Sequence, residues 1–153
     1  MREKGSEMGN ASRQYATFYL GELFFGVEVC QVQEVLRHQE MTCVPLAPDV
    51  VEGLINLRGQ IVTAVDMRQK FGLNRRPAGK APMNMVVRTD DGAASLLVDE
   101  IGDVIEAPED SFELPPDNIP PGRRELIDGV YKLQHGLLMV LNTERALAVA
   151  RTD

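Results

Sequence analysis

The chain repeats one order of local patterns, and this repeat constrains the fold more than any other feature. Four elements recur: a hairpin turn, a bent strand, a second hairpin strand and a helix cap. The first copies lie at residues 21–22, 32–36, 61–65 and Asp66. The second copies lie at residues 91–92, 101–105, 137–141 and Asn142. Short apolar runs can align by chance, but four matches in one order predict two like halves of about 65–70 residues.

Two such halves favour an all-β fold of two similar barrels that share an apolar interface. Closing each sheet into a barrel removes exposed strand edges. We expect the first barrel mainly over residues 15–76 and the second mainly over residues 82–150, with a few short helices. Residues 1–13 lack apolar periodicity and are predicted to be a disordered tail.

The stretch over residues 51–71 predicts a strand, a turn, a strand and a short helix. Gly59 suits the positive φ of a tight turn, and the run 61–65 is typical of a buried strand. Asp66 should cap the helix that follows. Arg58 stands out because an always-charged side chain between apolar runs needs a partner.

Other segments give weaker patterns. Residues 29–36 have apolar spacing that suits a helix or a strongly bent strand, and residues 41–46 suggest a short strand. Residues 83–88 and 93–98 flank an Asp-Asp-Gly turn and predict a hairpin. Residues 107–122 hold five prolines and are expected to form a long loop.

Composition excludes several classes of function. The net charge of −7, with no Trp and 5% aromatic residues, argues against a surface that binds nucleic acid. No apolar run approaches the roughly 20 residues that a membrane span needs, so direct membrane insertion is not expected. The polar first 13 residues contain no export signal, and Cys30 and Cys43 do not form a disulfide framework. We expect a cytoplasmic protein with reduced thiols.

No group of residues predicts a catalytic, cofactor or metal site. Phosphate-binding loops, dinucleotide glycine triplets and nucleophile elbows are absent. Cys30, His38 and Cys43 match no common zinc spacing, and His135 lies at a predicted turn where a solvated side chain is expected. Between residues 89 and 122 there are ten acidic residues and no Lys or Arg, which suits either a solvated face or an acidic docking face.

Glu34 and Arg58 are the two informative charges, because each lies within an otherwise apolar run. They could form an internal salt bridge, or they could present polar atoms to a partner at the edge of an apolar groove. The two interpretations are compatible, since a bridge could orient Arg58 toward the partner.

At these residues the chain resembles the CheW-type coupling proteins of bacterial chemotaxis, over roughly residues 15–147. The matching segments are residues 18–21, 25–27, 32–35, 53–59, 65–68, 98–99 and 141–142. The combination of Asn56-Leu57-Arg58-Gly59 with a following strand and Val65-Asp66 is specific. Two departures are Glu100, where the family usually has Gly after Val-Asp, and the proline-rich loop at 115–121. The first is expected to weaken the turn there.

The resemblance implies two five-stranded SH3-like barrels, no enzymatic activity and no cofactor. It implies a scaffold that links transmembrane chemoreceptors to the histidine kinase CheA, whose regulatory domain has the same fold, in two-component signalling arrays at the membrane. The receptor's helical hairpin tip would dock in a groove between the barrels. By position, Glu34, Arg58 and Val104 would contact the receptor, while Val32 and Gly53 would contact the kinase. The alternative is a CheW-like regulatory module of another two-component or chemosensory pathway.

Overall fold

The computed structural model describes residues 11–134 and 136–148. The strands of the first half are β1 (Ser12–Leu20), β2 (Leu23–Glu28), β3 (Val32–Leu36), β4 (Val51–Leu57) and β5 (Gln60–Asp66). Those of the second half are β6 (Met83–Thr89), β7 (Gly92–Val98), β8 (Glu100–Pro108), β9 (Ile127–Leu133) and β10 (Gly136–Leu141). The α-helices are α1 (Met67–Lys70), α2 (Pro121–Arg124) and α3 (Thr143–Ala146), and 3-10 turns lie at Val29–Gln31 and Glu109–Ser111.

The strands form two five-stranded sheets, which confirms the all-β class with two similar units. Sheet A has the order β8-β1-β2-β10-β9, and sheet B has the order β3-β6-β7-β5-β4. Strands β1 to β5 of the first half correspond, in order, to strands β6 to β10 of the second half. Exchanging each strand for its counterpart converts one sheet order into the other. The two sheets are therefore two copies of one arrangement, as the sequence repeat predicts.

The sheets do not follow the predicted division of the chain into 15–76 and 82–150. Each sheet combines a hairpin from one half with three strands from the other half. The hairpin joins through a parallel pairing, β2 with β10 in sheet A and β7 with β5 in sheet B. Side-chain alternation shows which face of a strand is apolar but not which strand lies beside it, so this exchange cannot be predicted from the repeat. Consequently, neither half builds a complete sheet alone.

The bent strands of the repeat are strands with matching bulges. In sheet B, Val32 pairs with Val87 and Val35 pairs with Met85, so the two residues between Val32 and Val35 oppose the single residue Val86. In sheet A, two residues of β8 oppose a single residue of β1 at the equivalent position of the repeat. A β-bulge adds one residue to one strand and bends it, which explains the irregular apolar spacing at 29–36.

A large apolar cluster joins the two sheets. It contains Phe18 and Phe25 from sheet A, Met85 and Leu96 from sheet B, and Phe71, which follows α1 and lies with its ring centroid 4.8 Å from that of Phe25. Each sheet also has a second, smaller cluster built from alternate residues of the same strands. Alternate residues face opposite sides of a strand, so each sheet is apolar on both faces. The predicted shared interface is confirmed.

Helix caps and hairpins were predictable, and several loops were not. The backbone N–H of Arg68 donates to Asp66 (3.1 Å), and that of Arg145 donates to Asn142 (2.8 Å), as the cap predictions require. The strand predicted at 41–46 is wrong, because only Thr42 forms a bridge, to Leu54. Pro45 removes a backbone donor there, which prevents a longer ladder.

The segments outside the barrels also differ from expectation. The predicted loop at 107–122 contains the end of β8, a 3-10 turn, a bridge from Glu113 to Val130, and α2. β1 begins at Ser12, within the predicted tail, and Arg13 pairs there with Glu28 and Glu109. Residues 1–10 of the tail and the predicted turn residue 135 lie outside the described residues.

Candidate functional site

Arg58 and Glu34 form the ion pair that the sequence suggested. Arg58 lies in the turn between β4 and β5 with a φ of +52°, and Gly59 follows with a φ of +91°. The Arg58 guanidinium donates to the Glu34 carboxylate on β3. Since β3 and β4 are opposite edges of sheet B, this contact shows that the sheet is rolled until its edges approach.

The exposure of this pair is uneven. The Arg58 side chain is 68% exposed, whereas that of Glu34 is 22% exposed. Arg58 carries five N–H donors, and one carboxylate cannot engage all of them. The pair therefore orients Arg58 while leaving donors for a second acceptor, so both interpretations made from the sequence are compatible with the geometry.

Gly53 is buried beneath another segment of the same chain. It lies beside a bulge in β4, where Glu52 is the extra residue between the pairs Val51–Val65 and Gly53–Ala64. A Cβ at this position would lie 2.8 Å from the Thr42 carbonyl oxygen, closer than real Cβ atoms approach backbone. The Thr42 segment thus covers Gly53, and this glycine shapes the neighbouring surface without forming it.

The second half repeats this arrangement. Gly129 lies beside the bulge of β9, and a Cβ there would lie 2.4 Å from the carbonyl oxygen of Glu113. Glu113 forms a bridge with Val130, as Thr42 does with Leu54. Each sheet therefore has one edge covered by a short segment that requires a glycine beneath it.

Val32 is half-buried and packs against the shared core. Its carbonyl oxygen accepts a hydrogen bond from the Arg88 guanidinium at 3.0 Å. Val104 is 59% exposed on β8, an edge strand of sheet A, where it pairs with Ala16. Its counterpart Val35 is 39% exposed on β3, an edge strand of sheet B. The structure brings Glu34 and Arg58 into contact and places Val104 on the other sheet.

Leu46 is a surface residue that the sequence did not single out. It is fully exposed and has a φ of +67°, although a leucine in this region of φ is strained. It lies four residues after Thr42, in the segment that covers Gly53. The available signal was Pro45-Leu46-Ala47-Pro48, because two prolines prevent strand pairing that could bury a leucine between them. An open depression of about 810 Å³, lined by residues 38–42 and 54–56, lies beside this segment.

A network of charged side chains joins the turn of β1–β2, helix α1 and the basic loop at 73–82. Arg68 donates to both carboxylate oxygens of Asp99, and Arg76 donates to Asp99 and Asp66. The backbone N–H of Gly21 also donates to Asp99, at 2.6 Å. These four charged side chains are at most 15% exposed.

The network lowers the pKa of Asp99. Burial alone would raise the pKa of this carboxyl, but hydrogen bonds from Arg68, Gly21 and Arg76 outweigh burial and hold the pKa at about 2. Asp99 is also the residue before the departure at Glu100. Neither residue has a positive φ, so the turn needs no glycine and the expected weakening is wrong.

Residues 11–134 and 136–148 contain no cluster of three or more His, Cys, Asp or Glu side chains that could hold a metal ion. Within the same residues, no helix is long and apolar enough to cross a bilayer.

The fold and the site thus define a two-sheet β protein whose distinctive residues lie on exposed strand edges and loops. A family model described as the CheW-like domain matches residues 14–151. The chain belongs to this family.

Curated proteins and a solved structure are similar over most of the chain. The chemotaxis protein CheW of Treponema pallidum is 27% identical over 136 residues, which cover 86% of this chain and 80% of that protein. Protein PilI of Pseudomonas aeruginosa is 33% identical over 101 residues, covering 65% of this chain and 57% of that protein. The crystal structure of scaffolding protein TtCheW from Thermoanaerobacter tengcongensis has a TM-score of 0.78 and 28% identity, covering 86% and 90% of the two chains.

Proposed function

We propose that this protein is a non-enzymatic adaptor that couples chemoreceptors to the histidine kinase CheA in arrays at the cytoplasmic side of the membrane. The observation that carries the proposal is the family match over residues 14–151. The pair of Arg58 and Glu34 supports the proposal. The exposed Arg58 guanidinium keeps N–H donors that Glu34 does not use, and such donors suit recognition of another protein.

The receptor face contains Glu34, Arg58 and Val104. A receptor tip is a pair of helices, and helix-in-groove recognition combines apolar contacts with polar atoms at the rim. Val104 supplies exposed apolar surface, and Arg58 supplies donors that Glu34 orients. The groove itself would lie between the two sheets.

The kinase face contains Val32 on β3 and the surface above Gly53 on β4, the opposite edge strand of sheet B. Gly53 acts by letting the Thr42 segment lie close to β4, and that segment presents Leu46 to solvent. An exposed apolar side chain on a strained backbone is disfavoured in the isolated protein, so burial against a partner would offset that cost. We therefore add Leu46 to the kinase-facing residues.

A second candidate function is a CheW-like module of another chemosensory or two-component pathway. Protein PilI favours it, since this relative at 33% identity does not carry the chemotaxis name. Both candidates require a receptor-like and a kinase-like partner, and they differ in the output of the pathway.

Reconstitution tests the coupling directly. Vesicles that display the cytoplasmic fragments of the organism's receptors are mixed with CheA, with or without this protein, and then sedimented. We expect CheA in the pellet only when the protein is present, and less CheA with Arg58→Gln. Equal sedimentation of CheA with and without the protein would contradict the adaptor function.

A further inference from the structure

The surface on β8 is the structural counterpart of the surface that carries Glu34. The shared bulges align Glu34 with Asp103 and Val35 with Val104. The β4–β5 turn likewise corresponds to the β9–β10 turn. Leu57 pairs with Gln60, and Leu133 pairs with Gly136, each at the last register position before the turn.

The two surfaces differ in the residue that opens the turn. The residue that follows Leu57 is Arg58, whereas the residue that follows Leu133 is the neutral and exposed Gln134. Glu34 therefore has a cation supplied by its own chain, and Asp103 lacks the equivalent cation. Among the described residues, no Lys or Arg forms an ion pair with Asp103.

The surroundings of Asp103 keep its carboxylate available. Its carbonyl oxygen accepts a hydrogen bond from the Thr17 hydroxyl at 2.5 Å, which fixes the backbone while the residue itself is exposed. Glu106, further along β8, is already engaged by the Ser12 hydroxyl at 2.7 Å. Next to Asp103, Val104 exposes 59% of its surface. The edge of β8 thus presents a carboxylate beside an apolar side chain.

We propose that an Arg or Lys side chain of the helical partner pairs with Asp103, in the place that Arg58 takes beside Glu34, while apolar surface of that partner covers Val104. Charge complementarity identifies the occupant, because the internal copy shows which group this carboxylate position accepts. The inference rests on the proposed function, since the partner is the receptor's helical tip. The two halves would then recognise the receptor differently, one by offering a cation and the other by accepting one.

Supplying the missing cation within the chain tests the proposal. Gln134→Arg should pair with Asp103 as Arg58 pairs with Glu34, and should therefore compete with the partner's cation. We expect about three- to tenfold weaker binding of a receptor cytoplasmic fragment, measured by calorimetric titration at low salt. Asp103→Asn should weaken binding by a similar factor and reduce its salt dependence.

The controls separate this pairing from general charge effects. Glu106→Gln removes an acid from the same strand and should change the affinity by less than about twofold. In the double variant with Asp103→Asn, Gln134→Arg should cause no additional loss, because its target is gone. Thermal midpoints should stay unchanged, since all three side chains are exposed.

Two negative results have different meanings. If the wild-type protein binds the receptor fragment and neither Gln134→Arg nor Asp103→Asn weakens binding, the inference is overturned while the adaptor function stands. If the wild-type protein does not bind the fragment, the proposed receptor coupling fails and the inference fails with it.

Discussion

Arg58 and Leu46 have positive φ values, and both lie in loops that adjoin β4. Non-glycine residues in this region cost on the order of 1 kcal/mol each, and neither side chain repays that cost through burial. The positive φ of Arg58 is required by the two-residue turn that closes the β4–β5 hairpin. The positive φ of Leu46 closes no hairpin, and it suggests presentation of this side chain to a partner. Arg58 marks the proposed receptor face through its exposed charge, and Leu46 marks the proposed kinase face through its exposed apolar side chain.

Gly53 has a structural role that can be measured without any partner. Gly53→Ala should destabilise the protein by about 1–3 kcal/mol, because the new Cβ would lie 2.8 Å from the Thr42 carbonyl oxygen and force the covering segment outward. Urea unfolding at pH 7 measures the change. Binding losses caused by substitutions at this glycine must be corrected for this effect.

Gly122 is the matched control for Gly53. It lies in α2 with no atom within 4 Å of a built Cβ and without a positive φ. Gly122→Ala should be neutral or stabilising by up to about 1 kcal/mol, because alanine favours helix. If both variants had the same stability as the wild-type protein, the close approach at Gly53 would not constrain the fold.

At the scale of elements, the Asp99 carboxylate links three separate segments of the chain. It accepts from the β1–β2 turn, from α1 through Arg68, and from the basic loop through Arg76. The turn belongs to sheet A and α1 follows β5 of sheet B, so Asp99 also links the sheets. Removing one member of a buried charge network leaves the others uncompensated.

This network predicts a pH dependence of stability. The pKa of Asp99 is about 2 in the folded protein against an ordinary value of 3.8, so ionisation stabilises the folded state above pH 3.8 and that stability is lost as pH falls toward 2. The linkage is worth about 2 kcal/mol at pH 7 and about 1 kcal/mol at pH 3. Asp99→Asn should therefore cost more in urea unfolding at pH 7 than at pH 3.

Asp110→Asn provides the comparison, because Asp110 is exposed and forms no ion pair among the described residues. Its stability difference from the wild-type protein should stay within about 0.5 kcal/mol at both pH values. A cost of Asp99→Asn that is independent of pH would show that the ion pairs do not account for it.

The sequence revealed local structure well where one residue determines it. Asp66 and Asn142 cap helices because a side-chain acceptor is needed there, and the hairpin at 21–22 follows from Gly21 with its φ of +60°. The pair of Glu34 and Arg58 was predictable because a charge between apolar runs needs a partner.

The sequence-based predictions that failed concern contacts between segments that are distant along the chain. A glycine at 53 signals a close approach but not which segment approaches, and the structure shows that it is Thr42 of the same chain. The exchanged hairpins depend equally on neighbours that local patterns do not encode. The contact roles of Val32, Glu34, Gly53, Arg58 and Val104 all stay predictions.

For the whole molecule, strand exchange makes the two sheets one cooperative unit with different surfaces. Sheet B carries the Arg58 turn and the Leu46 segment, while sheet A carries Val104 on its edge. The shared core fixes these surfaces relative to one another, which suits the proposed adaptor function, in which two partners would be held at once. We propose that the receptor and kinase faces are separate surfaces.

Two exposed substitutions test this claim without disturbing the core. Arg58→Gln removes a charge whose exposed pair contributes about 0–1 kcal/mol to stability. Leu46→Asn removes exposed apolar surface, and asparagine tolerates the positive φ, so stability should be equal or slightly higher. Unfolding midpoints of both variants confirm that the fold is intact before binding is compared.

The deciding measurement is the titration of each variant with a receptor cytoplasmic fragment and, separately, with the regulatory domain of CheA. We expect Arg58→Gln to weaken receptor binding about tenfold and kinase binding less than twofold, since a charge-assisted hydrogen bond is lost. Leu46→Asn should weaken kinase binding about tenfold and leave receptor binding within twofold, because apolar burial is lost. Equal weakening of both partners by each variant, with unchanged unfolding midpoints, would contradict two separate faces.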